Sequence, residues 1–153
     1  MKIFQCENAE ATKSLGQYLG KLLTDGDVLC FTGDLGTGKT ALIKAMCAAQ
    51  GVAYSDVTSP TFSLLNIYKG QSCPLKHFDL YRLNSEEELE DIGFEEVVND
   101  GGITFIEWSE LFPAALPTEY LQITLTGSGE GRQIELEPHG KHYQELCEKV
   151  QWC

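Results

Sequence analysis

"FTGDLGTGKTALIKA", residues 31–45, decides the fold. Gly33 to Thr40 fits the pattern GxxxxGK[S/T] at every fixed position. Glycines at this spacing let the backbone curl until successive N–H groups converge on phosphate oxygens, and the helix that follows aims its positive end at the same point. Lys39 then neutralises the outer phosphates and the Thr40 hydroxyl is placed to ligate magnesium, while Asp34, Leu35, Gly36, Thr37 and Gly38 contribute main chain. Chance alone gives this pattern in about one in two hundred chains of this length. Its context narrows that further. The apolar run Val28–Phe31 suits a buried strand, and "TALIKAMCAAQ" is rich in helix formers and stops at Gly51, so strand, glycine loop and helix follow in the order the mechanism demands.

Upstream, Ala11, Leu15, Leu19, Leu22 and Leu23 recur at helical spacing. Downstream, Pro60 bars a helix, Phe62 to Tyr68 carries strand-forming residues, and "KGQSCP" makes the turn of a hairpin returning as "LKHFDLYRL". Ser85 and Glu88 form a capping box that starts a helix with three acids in its first turn. "ITFIE", residues 103–107, is a short apolar strand ending in an acid. "YLQITLTGSGEGRQIELEP" alternates with period two on both sides of a glycine turn, and "KHYQELCEKVQW" suits a closing helix. The expected fold is α/β: a P-loop NTPase-like three-layer domain spanning residues 1–153, with a mixed, mainly parallel central sheet and added β-hairpins.

Charge and cysteines restrict the function classes. With 23 acidic residues against 11 basic ones the net charge is −12, and the arginines are Arg82 and Arg132 alone. A protein that grips a nucleic-acid backbone unaided shows a basic face, so any role on RNA has to pass through a partner. Six scattered cysteines with no CxxC pair lack the spacing of a zinc ribbon or a thioredoxin-like motif. No apolar run reaches membrane-spanning length and the first residues carry no secretory pattern, so a cytoplasmic location is expected.

Magnesium at Thr40 needs a carboxylate from the end of a neighbouring strand. Glu107, closing "ITFIE", and Asp79, in "HFDLYR", both qualify. Asp79 shares a strand face with His77 and Tyr81, and His77 is read as a packed or satisfied histidine without a catalytic role. Guanine readers use an Asn-Lys-x-Asp segment, which is missing here, so ATP is expected by exclusion.

"GDLGTGKT", "SPTF", "HFDLYRL" and "IEW", in that order within about 76 residues, make the chain resemble the bacterial TsaE (YjeE) ATPases, which work in making threonylcarbamoyladenosine on tRNA. The resemblance covers roughly Ala11 to Leu136. It implies hydrolysis of ATP to ADP with Mg2+, in a complex with the partner proteins TsaB and TsaD, so that tRNA is met only indirectly. It makes Leu35 to Thr40 the phosphate loop, Thr40 and Glu107 the magnesium ligands, and Asp79 a carboxylate needed for hydrolysis. Ser59-Pro60-Thr61-Phe62 becomes a switch-like loop in which Thr61 senses the γ-phosphate side. Trp108 falls beside the nucleotide, and so does the glycine-rich turn bearing Arg132.

Two other function classes stand beside a partner-dependent ATPase. A small-molecule kinase brings several arginines over its phosphates, for which two arginines are poor equipment. A nucleotide-gated binding module with negligible turnover needs no general base, and no residue here is an obvious one.

Overall fold

The computed structural model describes residues 1–34, 36–60, 64–127 and 129–152. In chain order it contains β1 (Lys2–Cys6), α1 (Ala9–Leu22), β2 (Val28–Thr32), α2 (Lys39–Ala49), β3 (Leu65–Lys69), β4 (Pro74–Asp79), α3 (Glu86–Asp91), α4 (Phe94–Asn99), β5 (Ile103–Glu107), β6 (Tyr120–Thr126), β7 (Arg132–His139) and α5 (Lys141–Lys149). The strands form one sheet in the order β1-β7-β6-β2-β5-β4-β3. Its centre is parallel: β2 pairs with both β5 and β6, and β4 pairs with β5. The flanks are antiparallel, through β3–β4, β6–β7 and β1–β7. Because the central strands run together, β2, β4 and β5 all end at one edge, where open α/β sheets place their ligands.

Alternation along the buried strands sorts the core into two layers. Leu29 and Phe31 of β2 face α1 and α2 together with Phe105 and Leu75, against Leu15, Leu19, Leu42, Ile43 and Met46. Cys30, Phe78 and Ile106 point the other way and pack on Leu89, Phe94 and Phe112. The cysteines among the described residues are free, and burial pushes the Cys30 and Cys47 thiols up to about 12, which keeps them from reacting as thiolates. No helix among the described residues is long and apolar enough to cross a membrane.

α1 lies close on α2 because of its glycines. A Cβ on Gly16 would stand 2.7 Å from the Ala45 Cβ, and one on Gly20 would stand 2.6 Å from the Met46 carbonyl oxygen. Gly20→Ala therefore sets a helix-propensity gain of about 1 kcal/mol against overpacking of about 1–3 kcal/mol. The clash is with main chain, which cannot swing aside, so a net loss of about 1 kcal/mol in stability is expected from urea unfolding. A rise in stability would mean that the two helices are not held this closely.

Four local features differ from the sequence reading. β1 was not expected, because Ile3 and Phe4 fall on opposite faces and give no period. Ile3 is exposed, and the strand is held by main-chain pairing to β7, by Trp152 packed edge-on against Phe4, and by the Lys2 ammonium donating to the Val150 carbonyl at 2.6 Å. The strand placed at Phe62–Tyr68 is observed at Leu65–Lys69, after Leu64 at φ 67°; Phe62 lies outside the described residues. The helix after Ser85 is two short ones split at Gly93, whose φ of 71° ends α3 and opens α4. Ser85 does accept from the Glu88 N–H, but the Glu88 carboxylate returns to the N–H of Asn84, not to that of Ser85. Residues 86–100, which join β4 to β5, carry eight of the chain's 23 acidic residues and neither lysine nor arginine.

Candidate nucleotide site

The glycine loop joins the end of β2 to the start of α2 and is fixed by hydrogen bonds of its own. Gly36 and Gly38 sit at φ 84° and 94°, a region other residues enter only under strain, with open space on the side a Cβ would take. Gly33 is needed for a different reason: a Cβ there would lie 2.7 Å from both the Leu125 carbonyl oxygen and the Thr37 hydroxyl. Thr37 does more than lend main chain. Its hydroxyl donates to the Asp34 carbonyl at 2.8 Å and its N–H to the same oxygen at 3.2 Å, which fixes the turn. α2 starts on Gly38 with no side-chain cap and no acid in its first turn, so its leading N–H groups face the loop's concavity.

Lys39 is 5% exposed. Its ammonium donates to the Gly33 carbonyl at 2.5 Å and stands 3.5 Å from the centre of the Trp108 ring. Burial pulls its pKa below the ordinary lysine range, opposed by the carboxylates of Glu107, Glu110, Asp79 and Asp34. Trp108 follows Glu107 directly, at φ 63° and ψ 30°, a left-handed conformation that costs about 1–2 kcal/mol for a residue with a Cβ. Its ring also packs on Tyr81, 4.8 Å centre to centre.

Asp79 and Glu107 end adjacent parallel strands and are partners in register, so both carboxylates leave the sheet on the α2 side. Both are buried. The Glu107 carboxylate oxygens lie 3.1 and 3.2 Å from the Thr40 hydroxyl, which donates to them. Asp79 accepts from the N–H of Tyr81 at 3.0 Å. A strand-end acid and a loop hydroxyl facing each other over a phosphate-shaped loop are a donor set of hard oxygens, the kind magnesium takes.

Arg132 stands apart from its expected use. Its Nε donates to the Thr37 carbonyl at 2.8 Å, and its terminal nitrogens donate to the carbonyls of Gly36, Gly129 and Gly131 at 3.2, 2.7 and 2.7 Å. The guanidinium thus straps the glycine loop to the β6–β7 turn. Beside it opens a cleft of 540 Å³ walled by Thr32, Gly33, Thr126, Gly127 and Arg132 among others, within the size range of small-molecule sites. A second groove, 410 Å³, lies between α3–α4 and residues 114–117. Glu86, Glu90, Glu95 and Glu96 line it, a setting that repels polyphosphate.

Of the residues expected at the site, Gly36, Thr37, Gly38, Lys39, Thr40, Asp79, Glu107, Trp108 and Arg132 converge on this edge of the sheet; Leu35 and Thr61 lie outside the described residues. His77, read as a packed or satisfied histidine, is both: it is fully buried and its Nε2 stands 2.6 Å from a Glu107 oxygen. The signal was present in the sequence: His77 is two residues before Asp79 and so on the same strand face.

The chain is similar to a set of known proteins. Residues 6–134 match the family described as "Threonylcarbamoyl adenosine biosynthesis protein TsaE". The chain belongs to the TsaE family. A protein of Bacillus subtilis named tRNA threonylcarbamoyladenosine biosynthesis protein TsaE is 37% identical over 144 residues, covering 94% of this chain and 89% of that one. Its namesake in a Nostoc species is 42% identical over 142 residues, covering 90% and 85%. Among solved structures, the crystal structure titled Bacillus subtilus YdiB superposes with a TM-score of 0.78 at 32% identity, covering 97% of this chain and 92% of that one. The likeness to that structure extends over nearly the whole fold of this TsaE-family chain.

Proposed function

We propose that this TsaE-family protein binds ATP with Mg2+ and hydrolyses it to ADP as the nucleotide-driven component of tRNA threonylcarbamoyladenosine synthesis, working in the cytoplasm in a complex with TsaB and TsaD homologues. The observation that carries this is the Thr40 hydroxyl, 3.1 Å from the Glu107 carboxylate, at the mouth of a glycine loop with a buried lysine. The loop and the first turn of α2 supply N–H donors to the phosphates. Lys39 leaves the Gly33 carbonyl and transfers its ammonium to the outer phosphates. Thr40 and Glu107 would hold a magnesium ion, which would supply positive charge against the phosphates. Asp79, next to Glu107 in register, orients the attacking water or the metal's own water. The base is assigned to the 540 Å³ cleft beside Arg132.

Phosphoryl transfer leaves the protein mainly positioning and charge stabilisation. Arg132 is spent on four carbonyls, so it fixes the loop's shape and does not meet the developing charge. Turnover by the isolated chain is therefore slow, and the partners complete the site. Contact with tRNA is left to those partners, as a net charge of −12 requires.

One experiment tests all of this: ATP turnover by the chain alone, then with both partner homologues, with modified tRNA measured in the same tubes. A rise of about tenfold or more on adding the partners is expected, since a completing cation contributes at least that much in related chemistry. Partners that leave turnover unchanged would overturn the partner-dependent mechanism. A metabolite that emerges phosphorylated would replace it with a kinase.

A further inference from the structure

We propose that His77 is a positioning residue that fixes the magnesium-binding carboxylate of Glu107; the inference rests on the nucleotide-and-metal function proposed above. His77 lies in the middle of β4, fully buried, on the face that carries Asp79 and opposite Phe105 of β5. Its Nε2 stands 2.6 Å from Glu107 Oε2, short enough for a charge-assisted hydrogen bond. Its Nδ1 is buried with no hydrogen-bond partner among the described residues. That asymmetry assigns the ring's roles. An N–H at Nε2 meets a carboxylate, whereas an N–H at Nδ1 would be orphaned, so the hydrogen sits on Nε2 and is donated to Glu107.

A packing histidine on an apolar strand does not need its polar edge aimed at an acid. Glu107 turns about three side-chain bonds, and in a buried site its carboxylate is useful only in one orientation. His77 meets Oε2 at 2.6 Å, and the Thr40 hydroxyl stands 3.1 Å from Oε1 and 3.2 Å from Oε2. The carboxylate is thus held between His77 of β4 and Thr40 at the start of α2. Outer partners of this kind set a ligand's direction and are felt as metal affinity. The hydrogen bond His77 makes is to Glu107, and its role is exerted through that carboxylate.

The test uses three variants. His77→Gln keeps an N–H at the reach of Nε2, His77→Asn places one only at the reach of Nδ1, and His77→Leu fills the space without a donor. Each is titrated with Mg2+ in the presence of a fluorescent ATP analogue, followed by anisotropy, and again in EDTA. His77→Leu and His77→Asn are expected to need about tenfold more Mg2+ for half-saturation, the loss typical of an outer-partner change. His77→Gln is expected to stay within about threefold of the parent, and EDTA affinities to remain within about twofold in all three. A Mg2+ requirement unchanged in His77→Leu, or lost equally with the EDTA affinity, overturns the proposal. If the leucine variant does not fold, the Gln–Asn pair decides by the same criterion: equal Mg2+ requirements overturn it. A parent protein that binds the analogue neither with nor without Mg2+ brings down the nucleotide function itself, and this inference with it.

Discussion

Lys39→Ala is expected to lower affinity for ATP with magnesium by about 100-fold or more, measured by calorimetric titration. The ammonium is a cation enclosed by the loop: it already donates to Gly33 inside it and stands over the Trp108 ring. Moving it onto phosphate exchanges one carbonyl for charged oxygens, and hydrogen bonds between two charged groups contribute about 1.5–3 kcal/mol each. Losing two such bonds gives the expected factor, at about 1.4 kcal/mol per tenfold. The substitution also removes the positive charge that Glu107, Glu110, Asp79 and Asp34 face, so the emptied loop repels a triphosphate more strongly than before. Thermal unfolding of the ligand-free variant separates this loss from a failure to fold. Affinity within twofold of the parent would leave the glycine loop without its assigned ligand.

Glu107→Gln is expected to cut magnesium-dependent turnover by about 100-fold or more, as the loss of a principal charge-stabilising group does. It should leave nucleotide affinity in EDTA nearly unchanged. The amide keeps the size of the side chain and can still meet the Thr40 hydroxyl, so the shape of the site persists while its negative charge is gone. Removing that charge also relieves repulsion toward phosphate, which makes metal-free binding equal to or slightly tighter than the parent's. Equal losses with and without metal would show that Glu107 shapes the pocket and does not hold the ion.

The parts of this site that lie on regular elements were legible in the sequence. Lys39 and Thr40 follow from the loop's spacing, and Glu107 and Asp79 from acids at the ends of apolar strands, because strand polarity and period two are local properties. What could not be read depends on contacts across the sheet. Nothing near Arg132 in sequence says that its guanidinium closes on the carbonyls of Gly36 and Thr37, more than ninety residues away. The sequence puts His77 on the face of Asp79, but its 2.6 Å approach to Glu107, on another strand, is seen only in the structure. β1 escaped because its stability comes from pairing with β7 and from Trp152, neither of which leaves a period in residues 2–6.

The acid-rich connection between β4 and β5 has a consequence for the solvent this protein needs. Eight carboxylates over residues 86–100, with no cation among them in the sequence, surround themselves with an ionic atmosphere. In dilute buffer their mutual repulsion reaches across the whole molecule; at about 0.1 M monovalent ions it fades within about 10 Å. Dissolved counterions therefore screen the carboxylates of α3 and α4 from one another, and the fold's tolerance of dilute buffer is set there.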